Sequence, residues 1–291
     1  MLVLLGAGAS FGSEPLRVST PPLGNDLFSR LFDLGGVASK VSPELKLLFE
    51  DSFELGMAEF YERHSDKMQV FHREMAAYLA SFRPRYKSYY RVMIDSLKDK
   101  NVVFASLNYD LMFELAAGLC GRPITYNHND TTSAIRLLKP HGSINFWPRI
   151  PPEQFVNCVF GGTVSIDVPV KVLSLQETIV RCKVDTSLSP AISMYAKGKK
   201  NIVGPDFVMR QKTAFAEVCK SVDDILILGV RVVQDDTHIW DSISGSKARV
   251  TYFGGGNDGC EVSAWSAQTG KYVNFVNGFF PSLLQWIDAR K

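Results

Sequence analysis

Asn108 and Asp110 in "SLNYD", and His141 in "LKPHGS", are the residues of this chain best suited to chemistry on a hydroxyl group or a water molecule. An amide accepts from water and donates to a hydroxyl at once. An imidazole titrates near neutrality and can exchange a proton with either. The stretch "GAGAS" offers a different service. Gly6, Ala7, Gly8 and Ala9 are small enough for backbone N–H groups to approach a phosphate, and Ser10 can cap the following helix and touch the same phosphate. Each motif also has a plainer reading. A glycine turn serves close helix–sheet packing, an Asn-x-Asp turn serves its own backbone, and a lone histidine is often a satisfied structural residue. The dinucleotide fingerprint would also put a third glycine at position 11, where this chain has Phe11 and then Gly12.

These motifs sit where apolar runs end. Leu2–Leu5 stops at Gly6, Val102–Ala105 at "SLNYD", and Ile135–Leu138 at Pro140, His141 and Gly142. Ile225–Leu228 stops at Gly229, Val230 and Arg231, and "ARVTYF" at Gly254, Gly255 and Gly256, which either leave room for a base or form a bare turn. Short apolar runs bounded by glycine read as buried parallel strands. Strands alternating with helices predict an α/β fold, a Rossmann-like, mostly parallel sheet flanked by helices, with ligands bound beyond the carboxyl ends of the strands.

Asn25 or Asp26 is placed to cap a helix carrying Leu27, Phe28, Leu31 and Phe32 on one side. From Ser42 to Lys98 apolar residues recur at three- and four-residue spacing, so consecutive helices are expected, with residues 31–100 as a helical insertion in a single domain, 1–291. Its Tyr and Met stripe reads as core, although aromatic and Met residues also suit an assembly surface or lid. His64 and His72 are expected on exposed faces of these helices, and His128 in a loop. Residues 151–205 read as irregular or a small sheet, and "FFPSLLQWIDARK" as a closing helix.

A formal charge of +2, from 32 basic and 30 acidic residues, gives no electrostatic footprint for nucleic acid. The densest basic stretch, "YAKGKK" at 195–200, reads as a solvated loop. Cys120, Cys158, Cys182, Cys219 and Cys260 are odd in number and scattered, which predicts neither a disulfide framework nor a cysteine zinc site and fits a reducing cytoplasm. The apolar start lacks the basic leader of a signal peptide, and nothing approaches the roughly 18 apolar residues of a membrane span.

Taken together, "GAGAS" at 6–10, "LNYD" at 107–110, "LKPHGS" at 138–143 and "ILGVRVVQDDTHI" at 227–239 resemble the sirtuin family, specifically its zinc-less branch of bacterial NAD-consuming defence proteins. The motifs occur in the family's order and span most of the chain, with 31–100 and 151–205 poorly covered. The resemblance implies a Rossmann-like sheet with a helical insertion and NAD as the ligand. Sirtuin deacylases carry a zinc module on four cysteines in two close pairs, which this chain cannot make. Their first loop continues into Pro-Asp-Phe-Arg, where Pro15 is here followed by Leu16, Arg17 and Val18. Both departures favour hydrolysis of NAD over deacylation.

By that resemblance, Asn108 orients the attacking water, Asp110 holds its loop or the ribose, and His141 deprotonates or orients a ribose hydroxyl. Gly142, Gly229, Val230 and Arg231 join Gly6–Ser10 in holding the dinucleotide, and Asp236 and His238 serve either the site or the packing of the next helix. The implied activity is an NAD glycohydrolase that depletes NAD during phage infection, with no zinc and no resident cofactor. The other readings are a deacylase or ADP-ribosyl transferase, and a non-catalytic NAD- or ADP-ribose-sensing module. Restraint of such a hydrolase implies self-assembly as a homo-oligomer or a partner, a HerA-type hexameric ATPase in preference to a short Argonaute protein.

Overall fold

The first apolar run, Leu2–Leu5, forms β1, buried along its whole length, and passes through Gly6 into a short helix, α1 (Ala7–Phe11). The computed structural model describes the whole chain except residues 17–18, 156, 159–164, 194–202 and 291, so the basic cluster expected as a loop at 195–200 lies outside the described residues.

Four helices follow: α2 (Gly24–Asp33), α3 (Pro43–Asp51), α4 (Phe53–His64) and α5 (Met68–Leu79). The Oγ atoms of Ser42 and Ser52 accept from the amides of Leu45 and Leu55, which starts α3 and α4 at defined points. The expected cap at Asn25 or Asp26 is not found. Helix α2 begins behind Leu23 with no side-chain cap, and Asp26 falls in its first turn. Phe28 stacks on Phe49 with ring centroids 3.7 Å apart, and Phe60 packs on Phe71 at 5.0 Å. The aromatic and Met stripe of this block is therefore largely its own core.

Helix α6 (Tyr89–Ser96) leads into β2, which runs Val103–Ser106, one residue later than expected. Then come α7 (Met112–Leu119), β3 (Ile124–Thr125) and β4 (Ile135–Leu138). The segment 151–205, expected to be irregular or a small sheet, supplies β6 (Val170–Val172), which pairs antiparallel with β5 (Phe146–Pro148) just before it, and also an unexpected helix, α8 (Leu175–Val184), that packs against α5. The sequence carries the signal for α8. In "SLQE", Ser174 Oγ accepts from the Glu177 amide at 3.2 Å, and the Glu177 carboxylate accepts from the Ser174 amide at 2.8 Å, a reciprocal capping box. The chain closes with α9 (Pro205–Ser221), β7 (Asp224–Leu228), α10 (Thr237–Ser244), β8 (Arg249–Gly254), α11 (Gly256–Thr269), β9 (Val273–Asn277) and α12 (Phe280–Asp288).

Seven strands form one parallel sheet in the order β3–β4–β2–β1–β7–β8–β9. Side chains alternate across it. Leu2, Leu4, Val103, Ala105, Ile225 and Ile227 bury against α9, α10 and α11, while Val3, Leu5, Phe104, Leu226 and Leu228 bury against α6, α7 and α12. Covering both faces is what a parallel sheet requires. Strand β1 lies at the centre, with β2 on one side and β7 on the other, so connections depart in opposite directions beside it and open a crevice at the carboxyl ends. The α2–α5 block forms one wall of that crevice. Among the described residues, no helix is long and apolar enough to cross a membrane.

His72 departs from its expected place. It is buried in α5, and burial, with Arg73 beside it, lowers its pKa to about 4. The unfolded chain takes up this proton near pH 6.5, whereas the folded chain holds out until about pH 4. The associated stability is intact above pH 6.5 and declines as pH falls towards 4, by about 3 kcal/mol. Urea unfolding of the wild type and His72→Leu at pH 7 and pH 4.5 checks this. The pH-dependent loss should be smaller in the variant, and equal losses would contradict the assignment.

Candidate active site at the carboxyl ends of the strands

The turns after β1 and β7 touch across the switch point. Gly6 N–H donates to Leu228 O at 3.0 Å, and Gly8 N–H to Gly229 O at 2.9 Å. A Cβ on Gly6 would lie 2.3 Å from the Gly229 oxygen, and one on Gly229, at φ +62°, 2.3 Å from the Ala9 nitrogen. The glycines are thus demanded by backbone-to-backbone approach, the packing reading of "GAGAS". The Ala9 amide is also taken, by Gly6 O, and Ala7 is left exposed at the mouth.

Ser10 lies inside α1 rather than capping it. Its buried hydroxyl is a hub, 3.0 Å from Tyr90 OH, 3.1 Å from Asp110 Oδ1 and 2.9 Å from Asn108 Nδ2. Asn108 Nδ2 also donates to Gly6 O at 2.8 Å. A carbonyl can only accept, so this bond fixes the amide orientation and leaves Oδ1 as the atom Asn108 can offer to a ligand. Asp110 accepts from the Met112 amide at 2.9 Å, starting α7. Burial raises its carboxyl above the usual range, with Lys139 acting in the opposite direction.

Lys139 is fully buried beneath the site. Its ammonium donates to Asp110 O at 2.8 Å and pairs with Glu114 at 3.2 Å. Tyr126 OH donates to the same Glu114 oxygen, and Asn145 Nδ2 to Tyr126 OH. Burial raises Glu114 as well, against the pull of Lys139. This network joins the loops after β2 and β4, fixing Asn108 relative to His141. Gly142, at φ +79°, packs on Ala191, where a Cβ would meet the carbonyl at 2.1 Å. It turns the chain behind His141 and does not line the cleft.

His141 is buried, with Nε2 3.1 Å from Asp236 Oδ2, and Asp236 Oδ1 is 3.1 Å from His238 Nδ1. Among the described residues this is the only group of three His, Cys, Asp or Glu side chains close enough to share a cation, and it contains no cysteine. His128 lies in a loop beside Glu217, 3.0 Å away.

These ends converge on one cleft of about 500 Å³, within the range of small-molecule sites. Gly6, Ala7, Gly8, Ser10, Asn108, Asp110, His141, Gly229, Val230 and Arg231 all line it, while Ala9 does not. The Arg231 side chain is exposed and paired with Glu261 at 3.2 Å. The opposite wall comes from the helical block, through Phe53, Glu54, Met57, Met75 and Leu79, none of which carries a recognisable motif. Asp258 and Phe279 close the far end. The room expected at Gly254–Gly256 is claimed by Asp258, whose carboxylate accepts from the Gly255 amide at 2.7 Å and would lie 2.5 Å from a Cβ on Gly254. A second cleft, about 340 Å³, lies around Lys100, Arg122 and Arg136 and shares none of these groups.

No protein-family model and no curated protein sequence matches the chain. Solved structures do. A Sir2 homologue in complex with NAD superposes with a TM-score of 0.50 at 13% identity, covering 99% of this chain and 88% of the other. A mutant Sir2 homologue in complex with ADP-ribose gives a TM-score of 0.49 at 14% identity, with 99% and 90% covered. Seven parallel strands with helices on both faces, superposing over nearly the whole chain, give this protein the Sir2-homologue fold.

Proposed function

We propose that the protein is an NAD glycohydrolase, cleaving the bond between nicotinamide and ribose to give nicotinamide and ADP-ribose. The observation that carries this reading is the Ser10 hub, which aims Asn108 into a cleft of dinucleotide size with His141 on its wall. The NAD bound to the Sir2 homologue of the same fold supports it. When the C1′–N bond breaks, the electron pair leaves with nicotinamide as a neutral base, so no strong acid is needed at the leaving group. The site must hold the ribose, let nicotinamide go and present water to C1′. Asn108 Oδ1 accepts from that water, His141 engages a ribose hydroxyl, and Asp110 stiffens the loop that carries Asn108. No zinc takes part in this scheme.

The biological setting we propose is the depletion of NAD in anti-phage defence, with activity governed by assembly with further copies of the chain or with a HerA-type ATPase. The experiment is incubation of the full chain with NAD, alone and with that ATPase, followed by chromatography. Nicotinamide and ADP-ribose in equal amounts are expected. Nicotinamide with ADP-ribosylated or deacylated protein would redirect the reading to a transferase or deacylase, and intact NAD under both conditions would overturn it.

A further inference from the structure

We propose that Asp236 is a positioning residue that holds His141 in the tautomer with its proton on Nε2, so that Nδ1 is the basic nitrogen of the ring. Asp236 stands at the N-cap of α10, where an aspartate side chain ordinarily accepts from the first-turn amides. Here it makes no cap bond. Its two oxygens are instead directed at two imidazoles, Oδ2 at His141 Nε2 and Oδ1 at His238 Nδ1, each 3.1 Å away. A helix start that forgoes its own cap has been turned to another use.

The carboxylate is buried, with both imidazoles in contact. A carboxylate can only accept, so a hydrogen bond across the 3.1 Å to Oδ2 puts a proton on His141 Nε2. In a neutral ring the other nitrogen of His141 is then the basic one. His238, two residues along the same turn, packs its ring against that of His141 beside the second oxygen. The 3.1 Å between Oδ2 and His141 Nε2 is a hydrogen-bond length, so this contact needs no metal to account for it. An Asn at 236 presents either an oxygen or an NH₂ to Nε2, so it no longer dictates the tautomer.

The role of His141 as base rests on the NAD reading, whereas its tautomer does not, and the experiment separates the two. Nitrogen-15 NMR of the full chain with labelled histidine, assigned by His141→Gln, should show the Nε2–H form in the wild type and a mixture in Asp236→Asn. In NAD turnover, Asp236→Asn should lose about 10- to 1,000-fold in kcat with KM within about threefold, and Asp236→Glu should recover part of the loss. A wild-type His141 protonated on Nδ1 would overturn the proposal even if Asp236→Asn does not fold. So would an unchanged kcat in Asp236→Asn, or one divalent metal per chain retained by the wild type and lost from that variant. If the wild type releases no nicotinamide, the NAD reading falls and the NMR result alone decides the tautomer.

Discussion

His141→Ala should lower NAD cleavage by about a thousandfold or more while leaving the fold in place. An acid–base group contributes about 10²–10⁴ in rate. The ring is buried at the cleft wall and linked to Asp236, so truncation removes the proton acceptor and leaves the carboxylate half-paired. The loop itself is held by Lys139 and by the turn at Gly142, which do not depend on the imidazole. Asn108→Ala should cost as much in rate and somewhat more in stability, about 1–2 kcal/mol, because Gly6 O loses its side-chain donor. If the two residues act as one unit, the double variant should be little worse than either single one. Nicotinamide release near the wild-type rate from either single variant would remove that residue from the mechanism. Chemical-denaturant midpoints of the same proteins separate a lost fold from a lost reaction.

The largest effect on stability is expected from Gly229→Ala. The residue sits at φ +62°, where an L side chain costs about 1–2 kcal/mol. Its Cβ would also fall 2.3 Å from the Ala9 nitrogen and 2.5 Å from the Gly8 carbonyl carbon, both backbone atoms of a buried turn. Backbone cannot swing aside as a side chain does, and such overpacking adds about 1–3 kcal/mol. A total of roughly 2–5 kcal/mol is a large share of a domain's stability and corresponds to a fall in Tm of about 3–8 °C. Gly121→Ala separates the two terms, since Gly121 has φ +68° with nothing within 4 Å of its Cβ position. It should show the conformational cost alone. Equal Tm shifts in the two variants would mean that the contact between the β1 and β7 turns is not tight.

The strands at the core were legible because a parallel strand covered on both faces is a continuous apolar run, and each run here ends in a polar or glycine-rich turn. That placed "GAGAS", "SLNYD", "KPHGS" and "GVRV" at one edge of a sheet. The helical block was equally legible from its spacing. Strand β9 was not, since it is a half-buried edge strand without a full apolar run. Helix α8 could have been read from its capping box.

The sequence by itself determined which residues stand at the carboxyl ends of the strands, because that follows from local pattern. Only the tertiary structure decided what each does there. It assigned the glycines of "GAGAS" to contact with Gly229, made Ser10 a hub rather than a cap, buried Lys139 beneath the site and turned Asp236 from its helix towards His141. It also brought the Phe53–Leu79 helices over the cleft and buried His72. Pairings such as Asn108 with Gly6, or His141 with Asp236, join residues about a hundred positions apart. Periodicity and turn chemistry act over a few residues, whereas such contacts depend on strand order and on which loops meet at the switch point.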